Sequence, residues 1–249
     1  MRLKLESPLA LSASPSGNIN RTLDFLPGSA LRGALASSFL DNNDLSQPKA
    51  KELFQRLFLK EEIIFENFYI DGSLPVPKTA RACKGYGGFA CTGNRRRKEN
   101  HGVKDYLLPL YAYGKSENSG VLSDECYICR LPMERFSGYY GYNSRDGYFF
   151  QTPVPRREIT RTGIHPATQT ALPGVLFTVE VINEESVFDG SIKVLDHTLD
   201  EELKKYIKSN VYSILAWEKQ GVWAGPGSSK RIFQAAYGRC LPWKRGLVV

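Results

Sequence analysis

The chain has 249 residues and contains no run of eighteen uncharged apolar residues, which excludes an ordinary membrane-spanning helix. Its first stretch, MRLKLESPLALSASPS, lacks the long apolar centre of a secretory leader and reads as a strand running into a loop. A G-x-x-x-x-G-K-S/T frame is missing, so a nucleotide-binding P-loop is excluded. No internal repeat is evident. No spacing argues for a Ser-His-Asp triad or a catalytic carboxylate pair. Wholesale disorder is excluded too, because 42% hydrophobic and 24% charged residues are ordinary for a globular chain. The cysteines, Cys83, Cys91, Cys126, Cys129 and Cys240, have no secretory context. Disulfides are therefore not expected, metal ligation is, and a cytoplasmic location follows.

What is present is unevenly placed. The formal net charge is +7, and the segment from Lys78 to Lys104, with eight Lys/Arg and one acid, carries all of it. A concentrated basic segment is the electrostatic footprint of a polyanion partner, with a solvated loop as the plain alternative.

The order of elements follows from periodicity. Leu3 and Leu5 alternate with Lys4 and Glu6 in a half-buried strand over residues 2–9. After the Pro27-Gly28 turn, Ala30, Leu31, Ala34, Leu35 and Phe39 recur at helical spacing. A short helix is expected over 49–58 and a strand over 62–70. From Asp71 to Pro173 the pattern becomes Gly-rich, basic and aromatic. Residues 175–182 form the clearest strand. A T-x-x-E capping box at Thr198 and Glu201 opens a helix with Leu199, Leu203, Ile207, Val211 and Ile214 on one face. A last strand is expected near 231–237. This order, βαββαβ, predicts an α+β fold of the ferredoxin-like or RRM kind. Residues 1–70 and 174–249 would form its core, and 71–173 an inserted metal-binding subdomain between the second and third strands.

Four constellations carry chemistry. Cys126-Tyr-Ile-Cys129 is a C-x₂-C knuckle with the bite that a tetrahedral Zn²⁺ requires. Cys83 with either His101 or Cys91 closes a structural site of four ligands. PGSALRG, residues 27–33, places Gly28 and Ser29 at a helix start beside Arg32. That arrangement suits a phosphate, or simply a tight turn into a packed helix. Seven of the fifteen residues from Phe136 to Phe150 are Phe or Tyr, near Arg156, Arg157 and Arg161. They suit base stacking, or a small core around the metal. His165, in the loop ITRTGIHPATQTALPG, is a candidate general base for metal-independent RNA cleavage.

Taken together, these motifs resemble a known family. PGSALRGALA (27–36) resembles the signature of CRISPR-associated RAMP proteins, and GPGSSKRIFQAAYG (225–238) is similar to their C-terminal glycine-rich loop, with thinned glycines. The ordered set PKTARACKGYGGF (77–89), HGVKDYLL (101–108), CYIC (126–129), GYY (138–140) and ITRTGIHPATQTALPGVLFTVEVI (159–182) resembles the RAMP subunit specific to type III-D CRISPR systems.

The resemblance implies a modified RRM fold in an RNA-guided antiviral effector complex. Its partners would be crRNA, target RNA, other RAMP subunits and the large signature subunit, with no membrane. It favours Cys83, His101, Cys126 and Cys129 as a structural Zn²⁺ set, leaving Cys91 as the alternative. Expected RNA contacts are Gly28, Ser29, Arg32, Lys84, Arg95, Arg96, Arg97, Arg156, Arg157, Arg161, His165, Lys230 and Arg231. Cleaving subunits of such complexes carry an Asp in the loop before the PGS helix. The loop here, SASPSGNINRT (12–22), has none, and Asp24 is the only acid close by. A non-catalytic subunit is therefore expected. A crRNA-processing endoribonuclease and a zinc-stabilised assembly module are the alternatives.

Overall fold

A computed structural model describes residues 1–16, 19–90, 100–115, 123–165, 167–210 and 233–236. In chain order the elements begin with β1 (Arg2–Leu5), β2 (Ser12–Ser16), β3 (Ile19–Thr22), α1 (Gly28–Asn42) and α2 (Pro48–Phe54). Then come β4 (Ile63–Phe65), β5 (Tyr69–Ile70), β6 (Ser73–Pro75), β7 (Ala80–Cys83), β8 (Val103–Asp105) and α3 (Leu107–Lys115). The remainder are β9 (Met133–Arg135), β10 (Tyr139–Asn143), β11 (Tyr148–Gln151), β12 (Arg156–Ile164), β13 (Ala171–Ile182), β14 (Val187–Asp189), β15 (Ile192–Val194), α4 (Asp200–Asn210) and β16 (Phe233–Ala236). The fold is mixed α+β with several small sheets. Among the described residues no helix is long and apolar enough to cross a membrane.

The chain divides into two compact units, one of Met1–Asp71 with Pro155–Val249 and the other of Gly72–Val154. In the first, a four-stranded sheet has the order β16-β1-β14-β5, and every pairing in it is antiparallel. β1 and β5 are therefore parallel to each other, joined through α1 and α2 and separated by β14. β14 and β16 are likewise parallel, joined through α4 and separated by β1. A second sheet, β12-β13-β3-β2, is dominated by the long β12–β13 hairpin.

Alternation buries Leu3 and Leu5 of β1, and Leu31, Leu35 and Phe39 form the buried stripe of α1. Phe39 lies among the rings of Phe54, Phe58 and Tyr206, with centroids 5.3–6.0 Å away. The Tyr206 hydroxyl donates to the Leu35 carbonyl at 2.8 Å, so the buried phenol is satisfied.

The structure revises several expectations. Residues 175–182 do not supply the third strand of the four-stranded sheet. They pair with β12 and, in parallel, with β3, whereas β14 takes the place beside β1. β14 has three residues around the fully buried Phe188, too short for periodicity to reveal. The expected strand over 62–70 is split between two sheets as β4 and β5. The T-x-x-E box does not cap α4. Instead Asp196 accepts the Thr198 N–H and hydroxyl at 2.9 and 2.8 Å, while Glu201 pairs with Lys204.

The second unit has less to bury. Its strands form two three-stranded sheets, β11-β10-β6 and β8-β7-β9. A small core gathers Cys83, Tyr106, Cys126 and Met133, with Tyr86 and Cys129 packed against it. Helix α3 buries none of its residues, and Leu108 is 77% exposed.

Candidate metal centre and basic surface

The second unit's core also holds a cluster of four potential metal donors. β7 delivers Cys83, the start of β8 follows His101, and a tight turn before β9 holds Cys126 and Cys129. The turn is closed by the Arg130 N–H to the Cys126 carbonyl and the Cys126 N–H to the Leu131 carbonyl, both 2.8 Å. Arg130 takes a left-handed conformation, φ 63°, to reverse the chain. Arg81, on the same strand as Cys83, grips Asp124 with two bonds of 2.8 and 2.9 Å and ties β7 to the knuckle.

The donor atoms of Cys83, His101, Cys126 and Cys129 all lie within 4.8 Å of one another. Cys83 Sγ is 3.4 Å from Cys129 Sγ, and His101 Nδ1 is 3.2 Å from Cys126 Sγ. Three sulfurs and one imidazole fit a metal, since a tetrahedron with Zn–S arms of ~2.3 Å has edges of roughly 3.8 Å.

Burial pushes the Cys126 thiol up. The Cys129 and Ile128 N–H groups, with His101 and Cys129, outweigh that and leave it at about 6. The Cys129 thiol moves the other way, raised by burial and by the neighbouring Cys83 and Cys126. Thiolate is the metal-binding form, so the cluster is part-way to it before any ion arrives. Cys91, the other candidate ligand, lies outside the described residues.

Of the expected RNA contacts, Arg95, Arg96, Arg97, Lys230 and Arg231 also lie outside the described residues. The others fall into two groups. Ser29 and Arg32 are exposed at the start of α1, and Arg161 is half-buried on β12. Gly28, by contrast, is buried, and its N–H donates to Asn67 Oδ1 at 3.1 Å. A Cβ there would lie 2.0 Å from the Phe65 carbonyl oxygen. The glycine is needed for close packing of α1, and Asn67 replaces the missing side-chain cap.

Several cations already have partners. Arg156 meets Asp24 at 3.0 Å and Glu180 at 3.4 Å, Arg157 meets Glu184 at 2.7 Å, and Lys84 meets Glu134 at 3.2 Å. Asp24, the candidate acid, is thus held by Arg156. Exposed His165 accepts the Thr168 N–H on Nδ1 at 3.3 Å within the β12–β13 turn. Three residues were missed from sequence: Asn67, Glu184 and Tyr86, the last stacked on His101. Each partner is distant in sequence or sits in an irregular loop. Only the K-G-Y-G-G run directly after Cys83 hinted at the third.

One unit thus carries a PGS helix start packed against β4, and the other a Cys/His cluster. The family model of the RAMP superfamily matches residues 2–230, and the chain belongs to that superfamily. No curated protein matches it. A solved type III-B Cmr-beta chain, bound to cognate target RNA, is similar at 10% identity and a TM-score of 0.47, with 94% of each chain covered. A type III-B Cmr-beta chain in the apo state is similar at 12% identity and a TM-score of 0.46, again with 94% of each covered. A third, bound to cognate target RNA and AMPPnP, has 12% identity and a TM-score of 0.37 over 96% of this chain and 64% of the other.

Proposed function

We propose that this chain is a crRNA-binding, non-catalytic RAMP subunit of a type III CRISPR effector complex, of the III-D kind, working in the cytoplasm. Family membership across residues 2–230 is the observation that carries the reading. The ordered motifs from PKTARACKGYGGF to TALPGVLFTVEVI favour the III-D assignment. Two interleaved split βαβ units in the sheet β16-β1-β14-β5 are what a ferredoxin-like or RRM plan requires.

A grip on RNA that ignores sequence needs cations along phosphates. Arg32, Arg161 and the basic 78–104 segment supply them, with Ser29 at the helix start. crRNA and target RNA are the nucleic-acid partners, and other RAMP subunits and the large signature subunit are the protein partners. The absence of catalysis is supported by Asp24 being ion-paired and by Nδ1 of His165 being engaged in its own turn. Residues 71–173 are read as the inserted subdomain, its compact unit Gly72–Val154 stapled by structural Zn²⁺ through Cys83, His101, Cys126 and Cys129. When bound, the ion supplies a fixed tetrahedral cross-link and no reaction chemistry.

The test is to purify the protein from its native host and sequence the RNA that accompanies it. Spacer–repeat RNA with partner subunits is expected. Protein free of nucleic acid would overturn the RNA-binding reading, and cleavage of repeat or target RNA that His165→Ala or Asp24→Ala abolishes would overturn the non-catalytic one.

A further inference from the structure

We propose that Tyr86 is a positioning residue for the metal, with the Cys83–Gly88 loop clamping His101 so that Nδ1, rather than Nε2, completes the four-donor set. The proposal rests on the structural-metal reading above.

Tyr86 acts on His101 twice. Its ring lies 4.6 Å from the imidazole at an interplanar angle of 30°, and its carbonyl accepts the His101 N–H at 2.9 Å. The hydrogen bond fixes where the His101 backbone sits, and the ring restricts rotation of the imidazole plane. Both contacts are needed, because a histidine in a loop can present either ring nitrogen. Here Nδ1 faces the sulfurs, 3.2 Å from Cys126 Sγ.

The glycines around Tyr86 allow this approach. A Cβ on Gly87 would lie 3.0 Å from the Cys83 carbonyl oxygen. Gly88 has φ +131°, and a Cβ there would fall 2.5 Å from Asn100 Nδ2, on the residue just before His101. Gly102, just after it, has φ +88°. Side chains at Gly88 and Gly102 would strain these positive-φ conformations, and with them the backbone on either side of His101.

The loop therefore has a use beyond the one its basic, Gly-rich composition suggests. Lys84 is paired with Glu134, and one face of Tyr86 is taken by His101. The loop is built to hold a ligand, and a stacked neighbour is the kind of outer partner that tunes metal affinity.

The test uses the full chain loaded with Co²⁺ or Zn²⁺. Co²⁺ reports the donor set by its ligand-field spectrum, and Zn²⁺ affinity comes from competition with a chromophoric chelator. Tyr86→Leu should lower Zn²⁺ affinity by about 10–100-fold. Its Co²⁺ spectrum should move from a three-sulfur, one-nitrogen tetrahedral site toward one in which water replaces the imidazole. Tyr86→Phe, which keeps the ring, should retain both properties of the wild type. Gly88→Ala should weaken binding in the direction of Tyr86→Leu, and it serves should that variant fail to fold. A Tyr86→Leu or Gly88→Ala protein with wild-type spectrum and affinity would overturn the proposal. So would an equal loss in Tyr86→Phe. Wild-type protein that takes up neither ion would sink the metal reading itself, a result distinct from either.

Discussion

The two units of this chain bury very different cores. The first buries many large apolar side chains. Leu3, Leu5, Leu31, Leu35, Phe39, Phe68 and Phe188 are all within 2% of complete burial. The second has less to bury, and its small core of Cys83, Tyr106, Cys126 and Met133 includes two of the four donors. Its helix α3 is wholly exposed. Small units with thin cores commonly need a staple, because burial of apolar area alone does not offset the entropy of ordering the chain. On the proposed reading, this chain places hydrophobic and coordinative stabilisation in separate units.

The largest expected effect would separate them outright. Removing the metal with a chelator, or Cys126→Ser, should abolish hydrogen-exchange protection across the described parts of 72–154 while protection in β1, α1 and β14 persists. Structural zinc sites contribute on the order of 10 kcal/mol in small domains. Uniform loss of protection, or none, would break the comparison.

Phe39→Ala is the reciprocal change. It empties a site lined by Phe54, Phe58 and Tyr206 and should cost about 3–5 kcal/mol by denaturant titration. Metal stoichiometry should be unaltered.

Gly28→Ala comes next, since its Cβ would overlap the Phe65 carbonyl. We expect a loss of about 1–3 kcal/mol. Gly33, five residues further on at the end of the same motif and with nothing within 4 Å of a built Cβ, should respond oppositely. Gly33→Ala is expected to raise stability by up to about 1 kcal/mol, as Ala does in an exposed helix interior. If it also weakens RNA binding, that glycine serves the ligand rather than the fold.

RNA affinity should divide the cations in the same spirit. Arg32→Glu should weaken binding to single-stranded RNA and flatten the salt dependence by roughly 0.7 per lost phosphate contact. Arg157→Glu, whose wild-type side chain is paired with Glu184, should change that slope less. Equal slopes would show that the ion pair opens on binding.

The smallest effect concerns pH. The Thr198 N–H and hydroxyl, then Arg56, hold the Asp196 carboxyl below its ordinary range. A carboxyl depressed in the folded state adds stability above its unfolded value, ~3.9, and that stability fades as pH falls through the folded value. The denaturation midpoint should therefore fall as the solution is acidified below about pH 5. Asp196→Asn should shallow that decline, and an unchanged profile would exclude the contribution.

Much of this was legible in the sequence because it is local. Helical spacing from Ala30 to Phe39 marked α1, and the spacing of Cys126 and Cys129 marked a knuckle. Other features were not legible, for physical reasons that differ. Residues 175–182 have stronger strand character than Val187–Asp189, yet a place beside β1 was settled by which segment could bury Phe188. Thr198 and Glu201 had the right letters for a cap, but Asp196 was nearer to the orphan N–H. Arg156 and Arg157 looked available for RNA because their acidic partners, Asp24, Glu180 and Glu184, are not adjacent to them in the chain.

The sequence by itself determined the chemistry of the donors, the family, and the elements whose hydrogen bonds close within a few residues. Only the tertiary structure decided which donors meet, which cations are spent on internal carboxylates, and that Gly28 serves packing. Each of those outcomes depends on contacts between residues far apart in the chain. Burial and charge pairing select such contacts from many that the letters allow.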